Sequence, residues 1–69
     1  MEKIKVTGSL IELSENDQLL TVDMKALVRV QRIDRGSEIS LRGGDVDVID
    51  VDQDYEDIIK AWKDYYAEN

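Results

Sequence analysis

The stretch that decides the fold is residues 45–66, DVDVIDVDQDYEDIIKAWKDYY, in which a β pattern gives way to a helical one. Valine and isoleucine are interleaved with aspartate as far as Val51, close to the period of two that a strand requires. A helical stripe with spacings of three and four residues then begins; its members are Tyr55, Ile58, Ile59, Trp62 and Tyr66. Asp54 precedes the stripe as a candidate N-cap. The stretch therefore predicts a strand over residues 45–51 and a helix over residues 54–66.

The strand over residues 45–51 has apolar side chains on both faces. Val46 and Val48 point one way, whereas Ile49 and Val51 point the other. This pattern predicts either a bulge near Val48-Ile49 or a strand that is buried on both faces. A single helix covers only one face of a sheet, so a second face or an edge would meet another copy of the chain or another protein.

The residues upstream of this strand contain four further β patterns. The predicted strands are residues 3–13, 18–22, 28–33 and 38–42. The first has a bulge or bend at Gly8-Ser9, because its apolar positions change there from even to odd numbers. Asp34-Arg35-Gly36-Ser37 is a hairpin turn in which Gly36 supplies the positive φ.

These elements predict the fold class α+β for one domain over residues 1–69. The expected architecture is a small twisted antiparallel sheet of four to five strands, open or curled into a half-barrel, with one C-terminal helix. A core of this size has no disulfide to support it, since the chain has no cysteine. We therefore expect self-association or a partner protein, and a homo-oligomer is one form this can take.

The charge of the chain is concentrated in its last third. Residues 1–44 contain seven basic and seven acidic residues, whereas residues 45–69 contain two lysines and nine acidic residues, a net charge of −7. Such a surface repels phosphates and anionic lipids, so nucleic acid and membranes are not expected as direct partners. The expected partner is a protein with a basic surface.

Several classes of function lack their residues here. There is no histidine and no cysteine, which excludes a Ser-His-Asp triad and thiolate chemistry. Nucleophile-elbow and phosphate-loop motifs are also missing. We predict that the protein is not an enzyme and uses no cofactor. The N-terminus lacks the apolar segment of a signal peptide, and no apolar run reaches roughly 18 residues, so a cytoplasmic location is expected.

The spacing Asp50-x-Asp52-x-Asp54-x-Glu56 imitates the front of a calcium-binding loop. The loop is incomplete, because Tyr55 stands where a glycine is needed and Ala61 where a bidentate glutamate is needed. The preferred interpretation is that these carboxylates are solvated on a strand and at a helix start. Weak calcium binding stays open.

Two groups of residues are the candidate partner-binding site. The acidic strand supplies Asp45, Asp47 and Asp50 for a basic partner. Three aromatic residues near the end of the helix are apolar anchors: Trp62, Tyr65 and Tyr66. Tyr65 lies about 100° around the helix from Tyr66 and is expected near the surface. These groups predict a non-enzymatic protein–protein interaction module, an adapter, regulator or inhibitor.

An alternative function rests on the spacing of the carboxylates. Neighbours on one face of a strand are roughly 6.6–7 Å apart, close to the phosphate spacing of a nucleic-acid strand. The chain would then be an acidic, phage-type inhibitor that occupies the groove of a nucleic-acid-binding protein. Arg29 and Arg42, on the polar face of the third and fourth strands, can pair with the aspartate-rich strand within one molecule or across a dimer.

Five segments cover roughly half the chain; they are Thr21-Val22-Asp23, Leu27-Val28, Glu38-Ile39-Ser40-Leu41, Gly43-Gly44 and Val51-Asp52-Gln53-Asp54-Tyr55-Glu56-Asp57-Ile58. In this order they resemble the small FlbD-type flagellar and swarming-motility proteins. The resemblance implies the same succession of strands and an acidic helix start. It also implies a further alternative function, a motility-associated accessory protein.

Overall fold

The computed structural model describes residues 4–43 and 48–68, which form six β-strands and a C-terminal α-helix. The elements are β1 (Lys5–Thr7), β2 (Leu10–Glu15), β3 (Gln18–Asp23), a 3₁₀ turn (Met24–Ala26), β4 (Leu27–Arg32), β5 (Ser37–Leu41), β6 (Val48–Val51) and α1 (Tyr55–Glu68). The α+β class, the antiparallel pairing and the C-terminal helix are confirmed. The predicted count of four to five strands is wrong. The six strands form two three-stranded sheets, β1-β2-β3 and β4-β5-β6, and in the described part of the chain they do not form one closed barrel.

The predicted strand over residues 3–13 is two strands joined by a tight turn. Gly8 has a φ of +61° and reverses the chain between β1 and β2. Val6 then pairs with Ile11, so both side chains share one face of the sheet. The change from even to odd apolar positions is therefore explained by a reversal of direction rather than by a bulge within one strand.

A second two-residue turn joins β2 to β3. Asn16 and Asp17 have φ values of 50° and 70°, a conformation that asparagine and aspartate tolerate better than other side chains. The turn fixes the register of the hairpin, in which Ile11 pairs with Val22 and Leu13 with Leu20. Ile11, Leu13 and Val22 are buried, so this sheet has one core face.

The turn between β4 and β5 contains Gly36, as the sequence predicts. Gly36 has a φ of +91°, and its Cα lies so close to the backbone of Val51 and Asp52 that an added Cβ would collide with the Val51 carbonyl oxygen. The pairing of β5 with β6 places Ser37 opposite Val51 and Ile39 opposite Ile49. The β4–β5 turn is therefore packed directly against the end of β6.

Strand β6 is buried on one face only. Val51 is 2% exposed and Ile49 is half-buried, whereas Val48 is 45% exposed on the other face beside Asp50. The β5–β6 register runs without a shift through the described residues. Within the described residues Val48–Val51, neither predicted alternative, a bulge near Val48-Ile49 or burial on both faces, is correct. Asp45 and Asp47 lie outside the described residues.

The core lies between the two sheets and the helix. Its buried apolar residues are Ile11, Leu13, Val22, Met24, Leu27, Ile39, Val51 and Ile58. Helix α1 packs on this core through Ile58, Ala61, Trp62 and Tyr65. Tyr66 is 54% exposed, so the expectation that Tyr66 belongs to the core stripe and Tyr65 lies near the surface is wrong. No helix in the described residues is long and apolar enough to cross a membrane.

Candidate functional site

The order of the strands brings three connections to one end of the molecule. Each antiparallel strand reverses the direction of the chain, so the β2–β3 turn, the β4–β5 turn and the β6–α1 link lie at the same end. Together they line an open groove of about 1100 Å³. We call this the acidic groove; its lining residues are Glu15, Asn16, Asp17, Ile33, Asp34, Arg35, Gly36, Asp50, Val51, Asp52 and Asp54.

The lining of the acidic groove is strongly unbalanced in charge, with six carboxylates and one guanidinium. Five of the acidic residues are exposed and make no hydrogen bond or ion pair through their carboxylates to any described residue; they are Glu15, Asp17, Asp34, Asp50 and Asp54. Exposed carboxylates that make no pair within the described part of the protein are available to a ligand. The groove is therefore a concentrated negative surface that the fold itself does not neutralise.

The sixth carboxylate, Asp52, has a structural role. It accepts hydrogen bonds from the Ser14 hydroxyl at 2.8 Å, from the Asp17 backbone N–H at 3.0 Å and from the Asn16 backbone N–H at 3.2 Å. The Asp17 N–H, followed by the Ser14 hydroxyl, lowers the pKa of Asp52 below the ordinary carboxyl value. Asp52 is thus held ionised while it caps the β2–β3 turn and fixes the position of Asp17 in the groove.

Gln53 completes the link between the two sheets. Its side-chain oxygen accepts a hydrogen bond from the Ser14 N–H at 3.0 Å, and its side-chain nitrogen donates to the Ser14 hydroxyl at 3.0 Å. The buried Ser37 hydroxyl donates to the Gln53 carbonyl at 2.8 Å, and the Asp52 N–H donates to the Ser14 carbonyl at 2.8 Å. These bonds hold the β2–β3 turn against the β4–β5–β6 sheet and so fix the width of the groove.

The predicted helix cap is only partly correct. Asp54 directly precedes α1, and its carbonyl oxygen accepts a hydrogen bond from the Ile58 N–H at 3.2 Å. Its carboxylate caps no N–H among the described residues and faces the groove instead. Glu56 and Asp57 do occupy the first turn of α1, where a negative charge suits the helix dipole.

Most arginines near the groove are already paired. Arg32 forms an ion pair with Glu56 and lies 5.2 Å from the ring centroid of Tyr55. Arg29 pairs with Glu38 at 3.6 Å on the adjacent strand, so the pairing expected with the aspartate-rich strand is not seen for this residue in the described part of the chain. These exposed pairs contribute little to stability. Among the described residues that line the groove, Arg35 is the basic one.

The predicted aromatic anchors form a cluster of their own on α1. The ring centroids of Trp62 and Tyr66 are 6.4 Å apart, and those of Tyr65 and Tyr66 are 5.1 Å apart, both edge to face. Trp62 and Tyr65 pack against the core, which leaves Tyr66 as the exposed member. None of the three lines the acidic groove, whose lining includes Asp50. Among the described residues, the structure therefore does not bring Asp50 and the aromatic cluster into one groove.

The acidic groove shows no arrangement for metal binding in the residues that the structure describes. No group of three or more acidic side chains there converges as the ligands of an ion would. Asp52, the centre of the calcium-like spacing, is occupied by the β2–β3 turn. The groove is open and polar, which suits a charged chain segment better than a small ligand that must be enclosed.

Comparisons with protein-family models, curated proteins and solved structures give no significant match.

Proposed function

We propose that the protein is a non-enzymatic interaction module whose acidic groove receives a basic segment of a partner protein. The observation that carries this proposal is a set of five exposed carboxylates around one open groove, none of them paired with another described residue. Such a set is costly in self-repulsion within the free protein, and a bound cationic segment would relieve that repulsion. The partner is therefore expected to present lysine or arginine side chains on an exposed loop, tail or helix.

The position of the carboxylates supports an extended ligand rather than a single cation. They come from the β2–β3 turn, the β4–β5 turn and the β6–α1 link, and so they border the groove on several sides. The carboxylates are exposed and stay hydrated until the partner arrives. Binding is therefore expected to be fast and to be strongly weakened by salt. Tyr66, exposed on a separate part of the surface, is a secondary contact for a partner that extends beyond the groove.

The proposal is tested by affinity capture from a lysate of the source organism at low and at moderate salt, followed by mass spectrometry. The key variant carries Asp34→Asn and Asp50→Asn, which remove two negative charges from the groove. The control carries Asp57→Asn and Asp64→Asn, which remove the same charge from the exposed surface of α1. We expect the first variant to lose the captured basic protein and the control to retain it.

Two results would contradict the proposal. Equal loss of the partner in both variants would show that overall charge, and not the groove, attracts it. The groove would also be excluded as the binding site if the variant with Asp34→Asn and Asp50→Asn captured as much partner as the wild type and bound the purified partner with unchanged affinity in a titration.

The same experiment distinguishes the proposed function from a second candidate function, mimicry of nucleic acid. The observation that favours it is that carboxylates surround the groove without a metal-like convergence in the described residues, as successive phosphates would. In that case the captured protein would bind nucleic acid, and added nucleic acid would displace it from the groove. A partner that is indifferent to added nucleic acid favours a general adapter or regulator. The motility role rests on the sequence resemblance alone.

A further inference from the structure

We propose that a second copy of this chain pairs with the free edge of β3, so that two β1-β2-β3 sheets join into one six-stranded antiparallel sheet. The two copies would be related by a two-fold axis near Leu20. This surface is separate from the acidic groove, and the proposal does not depend on the proposed function.

The hydrogen bonds of Ser14 show which way the backbone of β3 points. Ser14 lies opposite Leu19 in the β2–β3 register, yet its N–H and carbonyl bond away from β3, to Gln53 and Asp52. Ser14 and Leu19 are therefore a non-hydrogen-bonded pair of the antiparallel ladder. Both residues of such a pair direct their backbone N–H and carbonyl groups away from each other. The N–H and carbonyl of Leu19 therefore point to the free edge of β3, and those of Thr21 do the same two residues later.

The free edge of β3 is uncovered in the part of the chain that the structure describes. Sheet β1-β2-β3 ends at β3, and no backbone hydrogen bond reaches Leu19 or Thr21 from outside the hairpin there. Unpaired edges are the usual site at which another strand adds to a sheet. The chemistry that fits this edge is an extended backbone with its own outward N–H and carbonyl groups.

The other outer edges carry the features that normally prevent such pairing. β1 is three residues long and includes Lys5, and β4 carries Arg29 and Arg32 with a register shift at its start. The described part of β6 is four residues long and includes Asp50. β3 is six residues long and pairs with β2 without a shift, and its one charged residue, Asp23, stands at its end, where the carboxylate accepts a hydrogen bond from the Lys25 N–H. Short length, charge and bulges are the common protections of edge strands, so β3 is the least protected edge among the described strands.

A second copy fits this edge because the sequence of β3 is compatible with itself. An axis at Leu20 places Leu19 of each copy opposite Thr21 of the other, and these are the residues whose backbone groups point outward. Leu19 is 75% exposed, and the pairing would bury part of its side chain. No charge faces a like charge between residues 18 and 22, whereas just beyond them Asp17 of each copy comes opposite Asp23 of the other, a repulsion that salt screens at the two ends of the pairing.

The antiparallel direction also separates the two acidic grooves. Asp17 lies beside one end of β3, so a copy related by the two-fold axis holds its Asp17 at the opposite end. A strand of this length spans roughly 17 Å, about twice the Debye length in physiological salt. The grooves of the two copies therefore repel each other only weakly.

The test is sedimentation velocity over concentrations from about 1 µM to about 1 mM, with a charge placed on the proposed edge. Thr21→Lys adds a lysine to β3, and Thr7→Lys is the matched control. Both threonines are exposed on the same face of the same sheet, and both changes reduce the negative charge equally. We expect the wild-type chain to dimerise, Thr21→Lys to raise the dimer dissociation constant by at least about tenfold, and Thr7→Lys to leave it within about twofold.

Two outcomes overturn the proposal. One is a wild-type chain that stays monomeric at the highest concentration, and the other is a dimer that Thr21→Lys and Thr7→Lys affect equally. Circular dichroism confirms that each variant is folded, and Leu19→Lys replaces Thr21→Lys if the latter fails to fold. The register is checked by mixing Leu19→Cys with Thr21→Cys, because the proposed axis places these two positions opposite each other and the chain has no other cysteine. The mixed disulfide-linked dimer should form in preference to either homodimer, whose two cysteines would be diagonal neighbours about 7–8 Å apart.

Discussion

Replacement of Gly36 by alanine is the sharpest test of how the wall of the acidic groove is built. Gly36 has a φ of +91°, which an alanine adopts only under strain. The added Cβ would also collide with the carbonyl oxygen of Val51 and lie 3.1 Å from the Asp52 carbonyl carbon. The collision is with backbone, so a rotamer change cannot relieve it.

The expected loss of stability follows from these two effects. A non-glycine residue held in such a backbone conformation costs about 1–3 kcal/mol. The forced movement of the β4–β5 turn away from β6 adds about 1–3 kcal/mol. The sum, about 2–6 kcal/mol, is a large share of the total stability expected for a chain of this length, which is roughly 3–10 kcal/mol.

Gly8→Ala is the matched control for the effect of strain alone. Gly8 also has a positive φ, +61°, but no atom lies within 4 Å of the place where its Cβ would be. We expect Gly8→Ala to lose only about 1 kcal/mol. Urea denaturation followed by tryptophan fluorescence, which reports the Trp62 environment, measures both values. Equal losses in the two variants would refute the close packing of Gly36 on the end of β6.

Three further predictions concern the link and the core. Asp52→Asn is expected to reduce the loss of stability in acid, because a carboxyl whose pKa is lowered on folding adds stability above its unfolded-state pKa and loses it as the pH falls through the folded-state value. Urea midpoints measured below about pH 4 check this, and a pH dependence equal to that of the wild type would contradict it. Ser37→Ala costs about 1 kcal/mol in urea denaturation, because Ser37 is 0% exposed and its hydroxyl satisfies the Gln53 carbonyl; an unchanged midpoint contradicts that bond. Ile58→Ala costs about 2–5 kcal/mol, because Ile58 is the fully buried contact of α1, whereas the same change at the exposed Val28 is nearly neutral in the same assay.

Local patterns predicted the elements of this fold but not their exact arrangement. The helix was visible because Ile58 and Trp62 stand one turn apart, and the Gly36 turn because glycine readily adopts a positive φ. The rotation of α1 was predicted wrongly, since both Tyr65 and Tyr66 are compatible with an amphipathic stripe and only docking on the sheets chooses between them. The chain reversal at Gly8 was interpreted as a bulge or bend, because a change of the apolar positions from even to odd numbers is compatible with a bend and with a reversal.

The acidic groove was only partly predictable. Asp50 was found because it belongs to an acidic strand, whereas Glu15 ends β2 and Asp17 and Asp34 stand in two distant turns, where no periodic signal marks them. Their proximity follows from strand order, which a single sequence does not specify. The bond between Ser14 and Asp52 was equally invisible, because the two residues are 38 positions apart and each is common in turns.

The link between Ser14 and the Asp52-Gln53 pair also bears on how the chain folds. Every strand pair in both sheets joins neighbours in sequence, and such hairpins form within microseconds. The link instead closes a loop of 38 residues, whose chain entropy costs about 3 kcal/mol before any contact repays it. The two sheets are therefore expected to form early and to dock late. In stopped-flow experiments, Ser14→Ala should accelerate unfolding and leave the refolding rate almost unchanged.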